Sequence, residues 1–189
     1  MEIYLLASAW AAYFFVHSFL AATQMKNWME KTLPTVFPFY RIGYNIIAFS
    51  SLLPLLFWSI SAPNNALNLP DWTWYPGAFF IALGLYLLIR AFQAFDGAEF
   101  LGLKEESTPI LVQKGMYQYV RHPLYLATIV LIFGLFLGLP TQKMGLTLVI
   151  SYTYIGIGYR LEERKLIAIF GAEYRAYQQQ VKALIPYIL

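Results

Sequence analysis

The sequence predicts an all-α integral membrane protein: five transmembrane helices and a cytosolic amphipathic helix at the C-terminal end. Three observations predict it. Hydrophobic residues make up 59% of the 189 positions and charged residues 12%, whereas a soluble domain carries about 25% charged residues. Five apolar runs approach the roughly 20 residues that cross a bilayer. When those runs are threaded in order, every lysine and arginine except Lys143 falls on one side. Basic loops stay cytosolic, so the N-terminus is expected outside and the C-terminus inside. The net charge of +3 is thus a topology signal rather than a nucleic-acid one, and mean hydropathy is +0.55.

The first predicted span is Ile3–Ala22. It has no basic segment ahead of it and ends at Ala21-Ala22-Thr23 without a clear processed domain beyond, so it reads as a retained anchor rather than a cleaved signal. His17 lies inside it. An ionisable group in lipid is a functional candidate by default, and a neutral histidine hydrogen-bonded between helices is the competing reading. The second and third spans are Ile42–Ala62 and Tyr75–Phe95, with Arg90 near the inner end of the third. The fourth and fifth, Pro123–Leu139 and Gly145–Leu161, span about 25 Å each at about 1.5 Å per residue. That is short but workable with local thinning or snorkelling. Gly138-Leu139-Pro140-Thr141-Gln142-Lys143 is a tight connection, so these two should form an antiparallel hairpin. The tail, 162–189, reads as an amphipathic helix. Leu166, Phe170, Tyr174, Tyr177, Val181 and Leu184 recur at helical steps; Gly171 interrupts them and Pro186 ends them. Residues 1–189 therefore read as one membrane domain. With no cysteine there is no disulfide, thiolate zinc site or thiol nucleophile, and two histidines are too few for most metal sites.

The segment between the third and fourth spans, Asp96 to Tyr119, is punctuated by Gly97, Gly102, Pro109 and Gly115. That favours irregular backbone over a helix. Pro109-Ile110-Leu111-Val112 would offer backbone groups to a flat ring, or simply connect two spans. Gly115-Met116-Tyr117-Gln118-Tyr119-Val120-Arg121-His122-Pro123-Leu124-Tyr125 follows. Proline is favoured at the first helical position, so His122 is expected to cap the fourth span with Arg121 just outside. Free N–H groups and the positive dipole end make such a terminus a ready anion site. Arg160 and Glu163, three apart on one helix face, lie where the fifth span leaves the membrane. The tight connection brings them near His122 and Arg121, and opposite charges at one membrane mouth suit a zwitterionic ligand. Snorkelling and surface pairing are the alternative.

Two motifs carry a resemblance. Gly115-x-Tyr117-x-x-x-Arg121-His122-Pro123-x-Tyr125 is followed by Glu162-Glu163-x-x-Leu166-x-x-x-Phe170-Gly171-x-Glu173-Tyr174-x-x-Tyr177-x-x-x-Val181 and then Ile185-Pro186. Together they resemble the isoprenylcysteine carboxyl methyltransferase family, a relative of membrane phospholipid methyltransferases. The front half has His17-Ser18, Tyr40-Arg41-x-x-Tyr44-Asn45 and Phe95-Asp96-x-x-Glu99-Phe100-x-Gly102-Leu103. It is similar to bacterial relatives of the NnrU and methanethiol S-methyltransferase type. The resemblance implies a methyltransferase in the membrane, expected in a bacterial inner membrane, with S-adenosylmethionine as donor. It implies a donor site of Pro109, Ile110, Leu111, Val112, Tyr117, His122, Pro123, Leu124, Tyr125 and Glu163. It also implies a substrate-side arginine, for which Arg160 is the nearest candidate. The residues' own chemistry adds Arg121 and His122 for the donor carboxylate and Glu163 for its ammonium. The acceptor would be a lipophilic or small thiol or carboxylate, with Asn45, Arg90, Asp96 and Glu99 as candidates for its side of the site. Neither metal nor nucleic acid is called for. A non-enzymatic NnrU-type membrane protein and a sterol-reductase-like NADPH enzyme are the other functional readings.

Overall fold

The computed structural model describes residues 1–61, 66–94, 97–101, 103–104 and 110–185. Asp96, Pro109 and Pro186 lie outside the described residues, as does the side chain of Glu99.

The described regular structure is helical, apart from two isolated backbone bridges. Helix α1 is Glu2–Ala21 and α2 is Thr23–Thr32. A 3-10 turn, Phe37–Phe39, leads into α3, Tyr40–Ile60. A second, Asp71–Thr73, leads into α4, Trp74–Phe92. Then come α5, Gly97–Leu101, a 3-10 turn at Gly115–Gln118, α6, Pro123–Gly138, and α7, Gln142–Phe170. Helix α8, Ala172–Gln180, ends the regular structure. Among the described residues, three stretches are long and apolar enough to cross a membrane: Glu2–Ala21, Phe37–Ile60 and Asp71–Phe92. The shorter α6 is equally apolar. The outward faces match this composition, since Phe15 and Phe57 are 70% and 68% exposed among many other bare apolar side chains. So much uncovered apolar surface suits lipid rather than water.

The tightest packing joins α4 to α6. A methyl group built at Gly134 would stand 2.5 Å from the Ile81 nitrogen, and one at Gly77 would stand 2.6 Å from the Gly138 nitrogen. Backbones approach this closely only where side chains are absent, and in lipid such contact drives helix association. Helices α1, α3 and α7 meet around a buried polar knot. Trp10 Nε1 lies 3.3 Å from Ser59 Oγ and 3.1 Å from Thr147 Oγ1, and Thr147 donates to Ser59 at 2.8 Å. Three residues separate α6 from α7, and the Tyr152 hydroxyl donates to the Ile129 carbonyl at 2.9 Å. Thr141 caps α7 by accepting from the Met144 N–H at 3.1 Å.

The structure corrects two boundaries. The predicted fifth span and the start of the tail are one helix. Arg160 to Lys165 is charged but holds good helix formers and no breaker, so α7 runs on until Gly171, whose φ of +55° stops it. The tail helix ends at Gln180, ahead of Pro186, because the backbone after it turns extended and pairs elsewhere. The polar helix α2, absent from the sequence reading, occupies part of the connection between the first two spans.

Candidate functional site

The pairing partner of that extended tail is the entrance of α6. Val120 and Lys182 form a parallel bridge. The Arg121 N–H donates to the Lys182 carbonyl at 2.8 Å and the His122 N–H to the Ala183 carbonyl at 3.0 Å. His122 is the residue before the helix and Pro123 its first turn, as the sequence predicts. The tail therefore lies across the helix mouth, and Val120, His122, Pro123, Ala183 and Leu184 are all buried.

Glu163 gathers the polar groups under this cover. It accepts from Arg121 Nε at 2.7 Å and Nη2 at 2.5 Å. It also accepts from Tyr174 at 3.4 Å and, through its second oxygen, from Gln178 Nε2 at 3.1 Å. His122 Nε2 lies 3.3 Å from the same carboxylate. A carboxylate only accepts, so Nε2 carries the imidazole proton. Arg121 Nη1 donates to the carbonyls of Gln178 and Val181. Arg121 and Glu163, read from sequence as contacts for a ligand's carboxylate and ammonium, thus face each other.

The neighbouring groups are held neutral. Burial pushes the His122 pKa below the usual histidine value, against the upward pull of Glu162 and Glu163. Burial raises Tyr174, with Glu163 adding to it, and raises Tyr177 to about 12. Tyr117 is pushed up by burial and by Glu162. The tyrosines stay protonated as donors, and the Tyr177 hydroxyl uses its proton on the Tyr117 carbonyl.

The remaining predicted residues fall around this centre. The Tyr125 ring lies 5.6 Å from that of His122. Leu124 is partly buried beside it on α6. Ile110 is 75% exposed, whereas Leu111 and Val112 are partly buried in irregular backbone. Arg160 is exposed, stacks over the Tyr159 ring at 5.7 Å and bonds its hydroxyl at 3.3 Å. The Tyr159 ring is 5.8 Å from His122, so Arg160 reaches the centre through Tyr159. Sequence reasoning missed Tyr159 and Gln178 as site residues and read Tyr174 and Tyr177 only as an apolar stripe. The spacing of Tyr174 and Gln178, one helical turn apart, is the one local sign that they serve one target.

A ring of neutral donors around a partly buried ion pair at a helix mouth suits a small zwitterion. Comparison with known proteins gives the arrangement a lineage. Residues 72–173 match the family model described as phospholipid methyltransferase. The chain is 31% identical over 185 residues to methanethiol S-methyltransferase 1 of Bradyrhizobium diazoefficiens, covering 90% of this chain and 62% of that protein. It is 32% identical over 188 residues to the methanethiol S-methyltransferase of Crocosphaera subtropica, covering 91% and 70%. The protein-S-isoprenylcysteine O-methyltransferase of Schizosaccharomyces pombe is 30% identical over 115 residues, 58% of this chain and 48% of that one. No solved structure matches.

Proposed function

We propose that this chain, which belongs to the phospholipid methyltransferase family, is a membrane enzyme that methylates a small thiol with S-adenosylmethionine. The observation that carries this is the partly buried Arg121–Glu163 pair at the α6 mouth, inside the matched family region. Relatives with methanethiol in their names match along 90% of the chain, the isoprenylcysteine relative along 58%. That difference favours a small thiol over a prenylated carboxylate.

The residues suit the donor. S-adenosylmethionine, when bound, supplies a methyl group activated by a sulfonium, beside an amino-acid zwitterion and a flat adenine. Arg121 would hold the carboxylate and Glu163 the ammonium. Each charge is already compensated by the other, so a zwitterion can exchange partners with the pair without stranding a charge in a dry site. His122, Tyr117 and Tyr125 are neutral rings that line a cation without repelling it. Ile110, Leu111 and Val112, with Pro109, offer backbone to the adenine. Pro123 and Leu124 begin the helix that fixes the depth of the site. Arg160 steadies the outer edge on the acceptor side. The buried cluster excludes water and holds the reactants in line, which are the main terms for a displacement of this kind.

Five helices cross the membrane in this reading, with α6 and the apolar part of α7 as an antiparallel hairpin. The N-terminus lies outside, the tail is cytosolic, and the membrane is a bacterial inner membrane. Calorimetric titration of the purified chain with S-adenosylmethionine, and with NADPH as comparison, tests the donor. Labelled methyl transfer to methanethiol tests the reaction. Binding of S-adenosylmethionine alone, with transfer to the thiol, is the expected result. No donor binding refutes the reading.

A further inference from the structure

One partly buried polar cluster has no task in that account. His17 lies about 6 Å from the inner end of α1, and Tyr44 the same distance from the inner end of α3, at about 1.5 Å per residue. The Tyr44 hydroxyl is 3.2 Å from the ring nitrogens of His17. Tyr13 stacks on the imidazole at 5.8 Å, and Tyr154 of α7 presents an edge at 6.3 Å. The Tyr154 hydroxyl is 3.0 Å from Ser18 Oγ. A hollow of about 10 Å³ between α1 and α3 ends on His17 and Tyr44. An ionisable side chain at this depth is costly and in general marks a function.

The cluster is continuous with the donor side. Tyr154, Gly158 and Glu162 recur every fourth residue of α7 and so share one face. Glu162, at the C-terminal end of that face, lies 3.9 Å from His122 Nδ1. A side chain added at Gly158 would meet the Tyr125 hydroxyl at 3.9 Å, so the glycine leaves room on that face. From Tyr154 to Glu162 is about 12 Å along the helix. A donor reaching inward from the Glu162 end would bring its methyl group toward a small thiol held at the Tyr154 end.

The chemistry calls for a base there. A simple alkyl thiol lacks cysteine's electron-withdrawing neighbours and ionises above cysteine's value of about 8.5, so it is protonated at neutral pH. Its anion, unpaired in an apolar layer, is expensive. A neutral imidazole has one N–H and one lone pair, and the Tyr44 hydroxyl, 3.2 Å from both ring nitrogens, can take up the N–H while the lone pair stays able to accept a proton.

We propose that His17 accepts the proton of a small alkyl thiol substrate. The inference rests on the methyl transfer proposed above. The thiol S–H bond breaks toward the free nitrogen of His17, and the sulfur pair forms the new S–CH3 bond. The CH3–S bond of the sulfonium donor breaks, with its electrons returning to the donor sulfur. One positive charge leaves the donor and one arrives on His17, so no bare thiolate forms. Tyr44 accepts a hydrogen bond from the imidazolium. The titratable groups facing His17 are Tyr13 on its own helix, Tyr44 on α3 and Tyr154 on α7, all phenols.

The test uses the full chain in nanodiscs with His17→Gln, which keeps a hydrogen bond to Tyr44 but takes no proton. Ethanethiol is compared with trifluoroethanethiol, which is similar in size and more acidic. Loss of a general base costs about 100- to 10,000-fold. We expect a loss in that range for ethanethiol, a much smaller one for trifluoroethanethiol, and unchanged S-adenosylmethionine affinity. The variant's rate should rise with pH as solvent ionises the thiol. Equal losses for both thiols, or no loss, overturn the proposal. A wild-type chain that methylates neither thiol refutes the proposed function instead. The infrared S–H band of ethanethiol bound to donor-free protein then decides on His17: it should move to lower frequency in the wild type but not in His17→Gln, and identical bands overturn the proposal.

Discussion

Replacing Glu163 with Gln removes one charge and almost no volume, so it isolates the electrostatic role of the cluster. The Glu163 and Arg121 side chains keep only 14% and 10% of their exposure. Removing one partner of a buried pair costs about 3–5 kcal/mol, because the other charge is stranded. Arg121 still donates to the Gln178 and Val181 carbonyls, which places the cost near the lower end. About 3 kcal/mol is roughly a hundred-fold in an equilibrium. The element held by this bond is the tail, which reaches the α6 entrance through the amides of Arg121 and His122. In Glu163→Gln those two amides should lose roughly a hundred-fold of hydrogen-exchange protection. Amides of α4 and α6 near Gly134, packed backbone to backbone, should keep theirs. Donor affinity measured in parallel should fall roughly ten- to a hundred-fold, as expected for one lost charge-assisted contact. Unchanged protection at both amides would refute the argument that this pair holds the tail.

His122 contributes a pH dependence. Its folded-state pKa is depressed by burial, so the unfolded state binds more protons and stability falls with acidification. The contribution is complete above about pH 6.5 and is lost as pH falls from there toward the folded-state value. Melting curves between neutral and mildly acidic pH should show this slope, and His122→Asn should flatten it. Gly134→Ala forces α4 and α6 apart and should cost about 1–3 kcal/mol by overpacking, read as a lower midpoint in a reversible denaturation assay. Arg160→Ala should lower turnover more than donor affinity, because the exposed guanidinium sits on Tyr159 outside the Glu163 cluster; equal loss in both would put it on the donor side. A reporter fused after Leu189 should be active only if it is a cytosolic reporter, and a periplasmic signal there would overturn the orientation.

The three long apolar helices were legible because lipid exposure writes itself as continuous apolar sequence. Arg121-His122-Pro123 was legible because proline and a polar cap mark a helix start wherever it occurs. The α4–α6 seam was less so: Gly134 and Gly138 show the small-residue spacing, but spacing names a face and not the partner that packs on it. The convergence of Tyr174, Gln178 and the Val181 carbonyl on Arg121 and Glu163 left no local mark, since it depends on where Gly171 turns the chain. The continuation of α7 past Leu161 was missed for a related reason. Hydropathy locates where a segment leaves lipid, whereas the helix ends only where the backbone is broken.

Charge balance links the two ends of the proposed reaction path. At the α6 mouth the paired, partly buried charges are one arginine and one glutamate, with His122 neutral. That region is therefore net neutral before a zwitterion arrives and remains so afterwards. The sulfonium adds one positive charge, and a site of this balance has no fixed anion to spare for it beyond Glu162, which is 46% exposed on its side chain. The charge must leave the donor as the methyl moves, and the apolar interior has few places to receive it. His17, with the Tyr44 hydroxyl against it, is the one histidine at that depth. In the proposed reaction a neutral donor site and a neutral, ionisable acceptor site would be complementary for this reason: the positive charge would pass from one to the other without an ion pair having to separate across lipid.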